Sequence, residues 1–262
     1  MNIHDFRFMW RGKPIAPLLS QQAHLLDPID IRGKGHDRAL LLLHGYSSSP
    51  AVFRAMLPEL TMYDAVVCPV LPGHADSVRV FADSTGADWL AAAEGVCGAL
   101  LQEYKAVDVL GFSLGGLLAY QLSQRFKLNH LYLLAPSMNL HMNVPATLLL
   151  ARALHWLGFR FLRSYGGDMY TDHYQELTYR QLPIATVIEI LTLVHHLKFA
   201  PPSCPTDLFL GRFDAVVNSS QVVERFEGLA NVTIHWLEHS AHVLPLDGDI
   251  EAIVDCLRAH RL

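Results

Sequence analysis

The sequence predicts an α/β fold with a mostly parallel central sheet and helices on both of its faces. The first observation is a set of continuous apolar runs, such as residues 39–43, which are typical of strands buried on both faces. The second is that these runs alternate with segments of helical spacing, as in repeated strand–helix units. A length of 262 residues and a hydrophobic fraction of 51% are enough for one large domain with an extensive core.

The individual elements can be assigned in chain order. Residues 1–20 predict either an edge strand or an arm lying on the body, and residues 21–38 predict a short strand and a turn. Further strands are predicted at 39–43, 65–70, 107–111, 130–135, 206–210 and 232–237. Helices are predicted at 52–60, 89–104, 114–126, 145–163, 184–199, 219–226 and 249–259.

The alternation breaks over residues 137–204, where no clear strand is visible. A stretch of this length is too long for a loop in a compact domain. We interpret it as a mostly helical lid, inserted after the sixth strand of a single domain that spans residues 1–262. The helix predicted at 145–163 carries arginines among apolar residues. It is therefore either an amphipathic lid whose apolar face meets the body, which we favour, or a helix that lies on a membrane surface.

Composition limits the classes of function. The formal net charge of −5 at pH 7 offers no basic excess for a phosphate backbone, so nucleic-acid binding is not expected. The 15 histidines are scattered, and none stands at H-E-x-x-H or zinc-finger spacing. We therefore expect most of them to be ordinary surface or core residues rather than metal ligands. No organic cofactor is expected either.

Compartment is indicated by the cysteines and the N-terminal segment. Cys68, Cys97, Cys204 and Cys256 lie far apart in apolar surroundings, which predicts free, buried thiols in a reducing compartment. Charged residues interrupt the N-terminal segment, so it lacks the layout of a signal peptide, and no run of 18 uncharged apolar residues occurs. A cytoplasmic protein without stable membrane association is the expectation.

The segment around Ser113 carries the strongest chemical signal. A buried strand at 107–111 runs into Gly111-Phe112-Ser113-Leu114-Gly115 and then into a helix, which is the G-x-S-x-G pattern in its expected context. A strand that turns this sharply into a helix exposes the central side chain in a strained conformation. Small flanking residues are needed because the strand and helix backbones pass close together.

Two further residues follow strands and complete a reactive set with Ser113. In a parallel α/β sheet, sites form at the carboxyl ends of the strands. Asp214 follows the strand after the insertion, and His242 follows the last strand. Serine, acid and histidine in this order suit a nucleophile, the acid that orients its base, and the base itself.

Each of the two partners has rivals in the sequence. Asp207 begins its strand, at the wrong end of the sheet, and Asp247 and Asp249 suit the N-terminus of the last helix. His239 competes with His242, but we favour His242 because of the pattern that surrounds it. His44 and His74 also lie at strand ends, where we expect them to bond backbone around turns.

The chain resembles the α/β-hydrolase superfamily over about residues 38–262, with its closest likeness to bacterial carboxylesterases and monoacylglycerol lipases. The matching motifs are LLLHG at 41–45, P-x-L-x-G-H at 69–74, D-W at 88–89, G-x-S-L-G-G at 111–116, G-x-x-D-x-x-V at 211–217 and S-x-H-V at 240–243. The N-terminal arm is longer than this resemblance leads us to expect. The resemblance implies that Ser113 is the nucleophile, His242 the base and Asp214 its orienting acid. It also implies an oxyanion hole made by the backbone N–H groups of Tyr46 and Leu114.

The resemblance also sets the expected substrate. It implies a serine hydrolase that cleaves short- to medium-chain acyl esters or monoacylglycerols through an acyl-enzyme. We expect Leu193 and Phe112 to contact an apolar acyl group, together with residues 148–150, Trp156 and Phe159. A thioesterase or a C–C bond hydrolase would use the same three residues. A non-catalytic ligand-binding protein on this scaffold is the alternative from a different class.

Overall fold

The computed structural model of the protein describes residues 1–260. Its strands are β1 (Phe6–Trp10), β2 (Lys13–Pro17), β3 (Ile29–Arg32), β4 (Arg38–Leu43), β5 (Ala65–Cys68), β6 (Ala106–Phe112), β7 (His130–Leu134), β8 (Phe161–Arg163), β9 (Glu176–Tyr179), β10 (Gln181–Pro183), β11 (Thr206–Gly211) and β12 (Val232–Leu237). Its α-helices are α1 (Val78–Ala82), α2 (Gly86–Glu103), α3 (Leu114–Ser123), α4 (Val144–Trp156), α5 (Ile184–His195), α6 (Ser219–Phe226) and α7 (Ile250–Ala259).

The central sheet has seven strands in the order β12-β11-β7-β6-β4-β5-β3. All neighbouring pairs are parallel except β3 with β5, so the predicted mostly parallel sheet is confirmed. Parallel pairing turns the carboxyl ends of β4, β6, β7, β11 and β12 toward the same edge. The loops that follow these strands can therefore share one site.

The two faces of the sheet pack into two separate cores. Ala39, Leu41 and Leu43 of β4 contribute to one core cluster, whereas Leu40 and Leu42 contribute to the other. Successive side chains of a strand point to opposite faces, so a continuous apolar run fills both cores. This is the physical basis for the apolar runs seen in the sequence.

The N-terminal arm does not join the central sheet. β1 and β2 form an antiparallel hairpin, and β1 also pairs with β9, which lies between residues 137 and 204. Phe6 of β1 is buried, and its ring lies 4.3 Å from the ring of Tyr179 in β9. Residues 1–20 therefore form strands, but these pair with the inserted segment rather than with an edge of the central sheet.

The inserted segment is less helical than predicted. It contains α4 and α5, but also the short strands β8, β9 and β10. The helix predicted to reach residue 163 ends at Trp156, because Gly158 follows with a φ of +94°. The insertion also follows β7, which is the fifth strand of the central sheet in chain order rather than the sixth.

The helix predicted at 52–60 is also absent. Two 3₁₀ turns take its place, at Pro50–Phe53 and Leu57–Glu59, and each begins at or next to a proline. Pro58 has no N–H to donate, and its ring would clash inside a continuous helix, so the segment divides there. Among the described residues, no helix combines the length and the apolar character that crossing a membrane requires.

Candidate active site

Ser113 lies at a sharp turn between β6 and α3. Its backbone has φ 55° and ψ −114°, a left-handed conformation that is strained for a residue with a side chain. A Cβ atom on Gly111 would overlap the carbonyl oxygen of Gly115, and one on Gly115 would overlap that of Leu43. The glycines of the G-x-S-x-G pattern are therefore required by the close approach of α3 to β4 and β6.

The structure brings Ser113, His242 and Asp214 into one hydrogen-bonded chain. His242 Nε2 lies 3.0 Å from Ser113 Oγ, and His242 Nδ1 lies 2.9 Å from Asp214 Oδ2. The other oxygen of Asp214 accepts the N–H groups of Val216 and Val217, both at 2.8 Å. The carboxylate accepts hydrogen bonds only, so Nδ1 of His242 carries the proton and Nε2 is free to accept the Ser113 hydroxyl.

Electrostatics favour a proton on His242. Burial alone would lower the pKa of His242, but the nearby carboxylates of Asp214, Asp168 and Glu176 outweigh it, and the pKa is raised. The side chain of Asp214 is only 1% exposed, so little water screens its attraction for the imidazole. A base with a raised pKa holds an accepted proton more firmly.

The turn after β4 lies directly beside Ser113. A Cβ atom on Gly45 would be 3.3 Å from Ser113 Cβ, so the backbone around Tyr46 is close to the hydroxyl. Within the described residues, neither the Tyr46 N–H nor the Leu114 N–H donates to a protein acceptor. Both predicted oxyanion donors therefore border the site with their hydrogen-bonding capacity available.

His44 fixes the shape of this turn. It is fully buried, and burial lowers its pKa to about 4, so the ring is neutral. Its Nε2 accepts the Leu71 N–H at 3.1 Å, and its Nδ1–H donates to the Gly45 carbonyl at 3.0 Å. This geometry agrees with the backbone-bonding role predicted for His44.

The surroundings of His74 also indicate a structural role. Burial holds the pKa of His74 well below its usual range, and its ring lies 4.4 Å from the ring of Phe81. Its Nδ1 lies 3.3 Å from the carbonyl oxygen of Pro72, within the same turn. A neutral ring enclosed by aromatic residues suits packing rather than proton transfer.

The other candidates that the sequence offers for the acid and the base lie outside this hydrogen-bonded chain. Asp207 is near the amino end of β11 and bonds His130 and His235. The side chain of His239 is 70% exposed and pairs with Asp249. Asp249 is at the start of α7, as predicted, but its carboxylate accepts the backbone N–H of His239 rather than capping the helix.

Asp247 differs from its predicted role at a helix N-terminus. It ends a 3₁₀ turn, and its carboxylate accepts the backbone N–H groups of Ala241, Tyr170 and Thr171 at 2.6–2.8 Å. Through these bonds it holds the loop that carries His242 against the inserted segment. The sequence pattern gave the position of Asp247 near α7 but not this long-range contact.

Two residues of the site were missed in the sequence. Ser137 Oγ lies 3.0 Å from Ser113 Oγ and, since Ser113 donates to His242, the Ser137 hydroxyl donates to Ser113. The Asp168 carbonyl accepts the N–H of His242 at 3.0 Å, and its carboxylate accepts the N–H of Ala215 at 2.9 Å. Ser137 follows β7, so the rule of strand ends could have found it, whereas no pattern marks Asp168.

The expected acyl contacts are only partly present. Leu149, Leu150, Trp156 and Phe159 are exposed, and Trp156 is 85% exposed. The expectation that these side chains face the body is therefore wrong, because α4 buries only Leu148 and Ala151. Phe112 is buried with its ring 5.2 Å from the ring of His242, as an apolar wall beside the nucleophile requires.

This fold, with a serine elbow and the hydrogen-bonded His–Asp pair at the carboxyl ends of the strands, defines an α/β-hydrolase. The profile of the alpha/beta hydrolase family matches residues 40–255, and the chain belongs to this family. The predicted resemblance to α/β-hydrolases and the predicted fold class are confirmed.

Similar proteins include lipases and esterases. The chain is 28% identical over 223 residues to the thermostable monoacylglycerol lipase of Bacillus sp. strain H-257, covering 82% of this chain and 87% of that one. A structure from the study of the metagenome-derived lipolytic enzymes LipS and LipT has a TM-score of 0.80 at 23% identity, with 90% and 97% coverage. A soluble variant of monoglyceride lipase from Saccharomyces cerevisiae has a TM-score of 0.71 at 13% identity, with 89% and 90% coverage. With the family membership, these likenesses support a hydrolase enzyme.

Proposed function

We propose that the protein hydrolyses carboxylic esters through an acyl-enzyme on Ser113. The observation that carries the proposal is the hydrogen-bonded chain from Ser113 through His242 to Asp214. In the first step, Ser113 Oγ attacks the ester carbonyl while its proton moves to His242 Nε2. The same proton then passes to the leaving alcohol, and the ester C–O bond breaks.

Water completes the cycle in the proposed mechanism. His242 takes a proton from water, the hydroxide attacks the acyl carbonyl, and the proton returns to Ser113 as the acid leaves. Asp214 keeps the imidazole in the productive tautomer and stabilises its protonated form. The N–H groups of Tyr46 and Leu114 are placed to stabilise the negative oxygen of each tetrahedral intermediate, a contribution of about 100- to 1,000-fold per donor.

The proposed substrates are monoacylglycerols or other short- to medium-chain acyl esters. The likeness to the Bacillus monoacylglycerol lipase supports this class. The buried ring of Phe112 beside His242 supports an apolar acyl group near the nucleophile. The chemistry of the three side chains requires neither metal nor organic cofactor.

A series of p-nitrophenyl esters of increasing chain length tests this proposal. Hydrolysis is expected to be fastest with a medium chain and to fall by about 10⁶-fold in kcat in Ser113→Ala. Ser220→Ala is the matched control, because Ser220 is an exposed serine on α6. A maximum at the acetate ester would contradict the apolar acyl pocket, and full activity in Ser113→Ala would contradict the mechanism.

Thioester and C–C bond hydrolysis remain the alternatives with the same residues. A matched pair of an oxygen ester and a thioester with one acyl group separates the first alternative by the ratio of kcat/KM values. An ester hydrolase should prefer the oxygen ester, and a strong preference for the thioester would reassign the substrate class.

The exposed side chains of α4 favour a second candidate, in which the same chemistry acts on lipid at a surface. Leu149, Leu150 and Trp156 of α4, with Phe159 shortly after it, are apolar side chains that the body does not cover. Exposed apolar side chains that cluster mark lipid or protein contacts. Co-sedimentation with phosphatidylcholine liposomes should then be lost in Leu149→Gln/Trp156→Gln, and absence of wild-type binding would reject this candidate.

A cytoplasmic location is also proposed. All four cysteines are free, and Cys68, Cys97 and Cys204 are buried thiols. Free thiols are typical of a reducing compartment. Fractionation of cells with a periplasmic and a cytoplasmic marker tests the location, and recovery with the periplasmic marker would contradict it.

A further inference from the structure

A second cluster of ionisable side chains lies at the opposite edge of the sheet from Ser113. Asp207 is the second residue of β11 and His130 is the first residue of β7, whereas Ser113 follows the carboxyl end of β6. His235 of β12 and the C-terminal end of α7 complete this cluster. Nothing in the proposed reaction uses these residues.

Asp207 is the centre of the cluster. Its buried carboxylate lies 2.6 Å from His130 Nε2 through one oxygen and 2.6 Å from His235 Nε2 through the other. In the sheet, Asp207 is paired with Tyr132 on β7 and with Thr233 on β12. The two histidines are therefore its diagonal neighbours on either side, and all three side chains are on the same face.

Helix α7 adds two more donor atoms to the same face. Cys256 and His260 are four residues apart, so they lie one helical turn from each other at the end of α7. Cys256 Sγ lies 4.0 Å from His235 Nε2 and 3.9 Å from His260 Nδ1. His260 Nδ1 in turn lies 3.6 Å from Asp207 Oδ2.

We propose that Asp207, His235, Cys256 and His260 bind a zinc ion. Thiolate, imidazole and carboxylate are the ligands that Zn²⁺ takes in proteins, commonly four in a tetrahedron. Bond lengths of about 2.0–2.3 Å place neighbouring ligand atoms roughly 3.3–3.7 Å apart. Ligand atoms of Asp207, His235 and Cys256, one from each, already lie within 4.8 Å of one another, and Cys256 Sγ lies 4.0 Å from His235 Nε2 and 3.9 Å from His260 Nδ1. His260 Nδ1 lies 3.6 Å from Asp207 Oδ2, the oxygen that bonds His130, so the His260 ring must turn to complete a tetrahedron around the ion.

The short distance between His235 and Asp207 sets a further movement that binding requires. His235 Nε2 and Asp207 Oδ1 are 2.6 Å apart, as in a hydrogen bond, and must separate by less than about 1 Å to share an ion. β12 is the edge strand of the central sheet, and the side chain of His235 is 31% exposed, so its ring has room to turn. The Cys256 thiol loses its proton to solvent on binding.

His130 supports the site from outside. It bonds the carboxylate oxygen of Asp207 that faces away from His235, and it is stacked on Tyr132 with ring centroids 4.4 Å apart. Such a hydrogen bond fixes the orientation of a ligating carboxylate. The ion would join α7 to β11 and β12, so we expect it to stabilise the fold without taking part in ester cleavage.

No motif in the sequence indicates this metal site, because its ligands come from three separate segments. Only Cys256-x-x-x-His260 is a local signal, and two residues at this spacing do not define a site. Asp207 and His235 join them only after β11 and β12 pair and α7 packs on the same face. The inference does not depend on the proposed reaction at Ser113.

Zinc titration of the tag-free, chelator-treated protein tests this site. A chromophoric chelator competing for Zn²⁺ should report one tightly held ion per chain. Because only the folded state forms the site, zinc at 100 times its dissociation constant should raise Tm by roughly 5–10 °C. Absence of both the tight ion and the shift in Tm in the wild type would overturn the proposal without any variant.

Matched variants assign the ligands. Cys256→Ala and His235→Gln should each weaken zinc binding by more than about 100-fold, whereas Cys97→Ala and His173→Gln should leave it unchanged. Cobalt gives a second readout, because a cobalt–thiolate bond produces a near-ultraviolet charge-transfer band that Cys256→Ala must lose. A tight ion that survives in both ligand variants, or a cobalt complex without the thiolate band, would contradict the proposed ligand set.

Discussion

Ser113 keeps its strained conformation because its glycine neighbours let three backbone segments come together. Gly115 is the most restrictive of these positions, since a Cβ atom there would overlap the carbonyl oxygens of Leu43 and His44. The overlap is with backbone rather than with a flexible side chain. It can be relieved only by moving α3 away from β4, and Ser113 is the residue immediately before α3.

We therefore predict that Gly115→Ala lowers the free energy of unfolding by about 1–3 kcal/mol or more and reduces ester hydrolysis. Gly95→Ala is the matched control, because Gly95 lies in α2 with no atom within 4 Å of an added Cβ. It should raise the stability by about 0.5–1 kcal/mol, as alanine favours a helix. Urea unfolding of both variants measures this, and equal effects would contradict the argument.

The raised pKa of His242 predicts the pH dependence of the reaction. Only the neutral imidazole accepts the Ser113 proton, so kcat/KM should rise with pH as His242 loses its proton. Because the carboxylates around His242 outweigh its burial and raise the pKa, the midpoint should lie above about 6.5, the ordinary value for histidine.

Asp168→Asn tests the cause of this shift. The substitution removes one of the negative charges that raise the pKa of His242 but keeps an oxygen that can accept the Ala215 N–H. The midpoint of the kcat/KM profile should therefore move to lower pH. Asp172→Asn, at an exposed position of the same segment, should leave it in place. An unchanged or higher midpoint in Asp168→Asn would show that the charge of Asp168 does not act on His242.

At this scale, the sequence predicted residues whose position follows from the order of strands. Ser113, Asp214 and His242 each follow a strand of a parallel sheet, so the topology brings them together. Asp168 contacts the His242 loop through its backbone carbonyl and belongs to the insertion, and neither feature leaves a pattern in the sequence. The prediction that Trp156 contacts the acyl group is wrong, because helical spacing alone does not determine which apolar side chains pack against the body.

Among the elements, the arm and the inserted segment depend on each other. β1 pairs with β9, and the ring of Tyr179 in β9 stacks on Phe81 at 4.9 Å. Thr178, also in β9, bonds Ser47 in the turn that follows Tyr46. The arm therefore supports, through β9, the turn that carries a predicted oxyanion donor.

Phe6→Ala tests this dependence. Phe6 is fully buried against Tyr179, so its loss should reduce the free energy of unfolding by about 3–5 kcal/mol. Ile15→Ala on the exposed strand β2 is the control and should cost less than about 0.5 kcal/mol. Denaturant unfolding compares the two variants, and similar losses would mean that the arm is not held through Phe6.

Helices and strands were predictable where a local property of the sequence determines their conformation. β4, β6, β7 and β11 are mostly apolar because both faces of the sheet are covered, and this is visible in their sequences. β9 has only four residues and pairs with a strand that lies far away in the chain, so tertiary contacts decide its conformation. Pro58 indicates that the segment 52–60 cannot form one continuous helix, but the helical spacing of its apolar residues favoured one.

For the whole molecule, we propose a single domain over 1–262 with an insertion at 137–204. One core cluster supports this, because it joins Phe6 of the arm and Tyr179 and Val194 of the insertion to Leu41 and Val109 of the central sheet. The length and the apolar content of the sequence predicted one large core. The packing of the arm on the insertion could not be predicted, since it depends on residues more than 150 positions apart.

The central claim is that this fold makes Ser113 a nucleophile by holding His242 and Asp214 beside it. A fluorophosphonate probe tests it most directly, because such probes react with an activated serine, and peptide mass spectrometry locates the adduct. We predict one adduct per chain, on Ser113, with labelling lost in Ser113→Ala and strongly slowed in His242→Ala. An unlabelled wild-type protein, or an adduct on a different serine, would contradict the account.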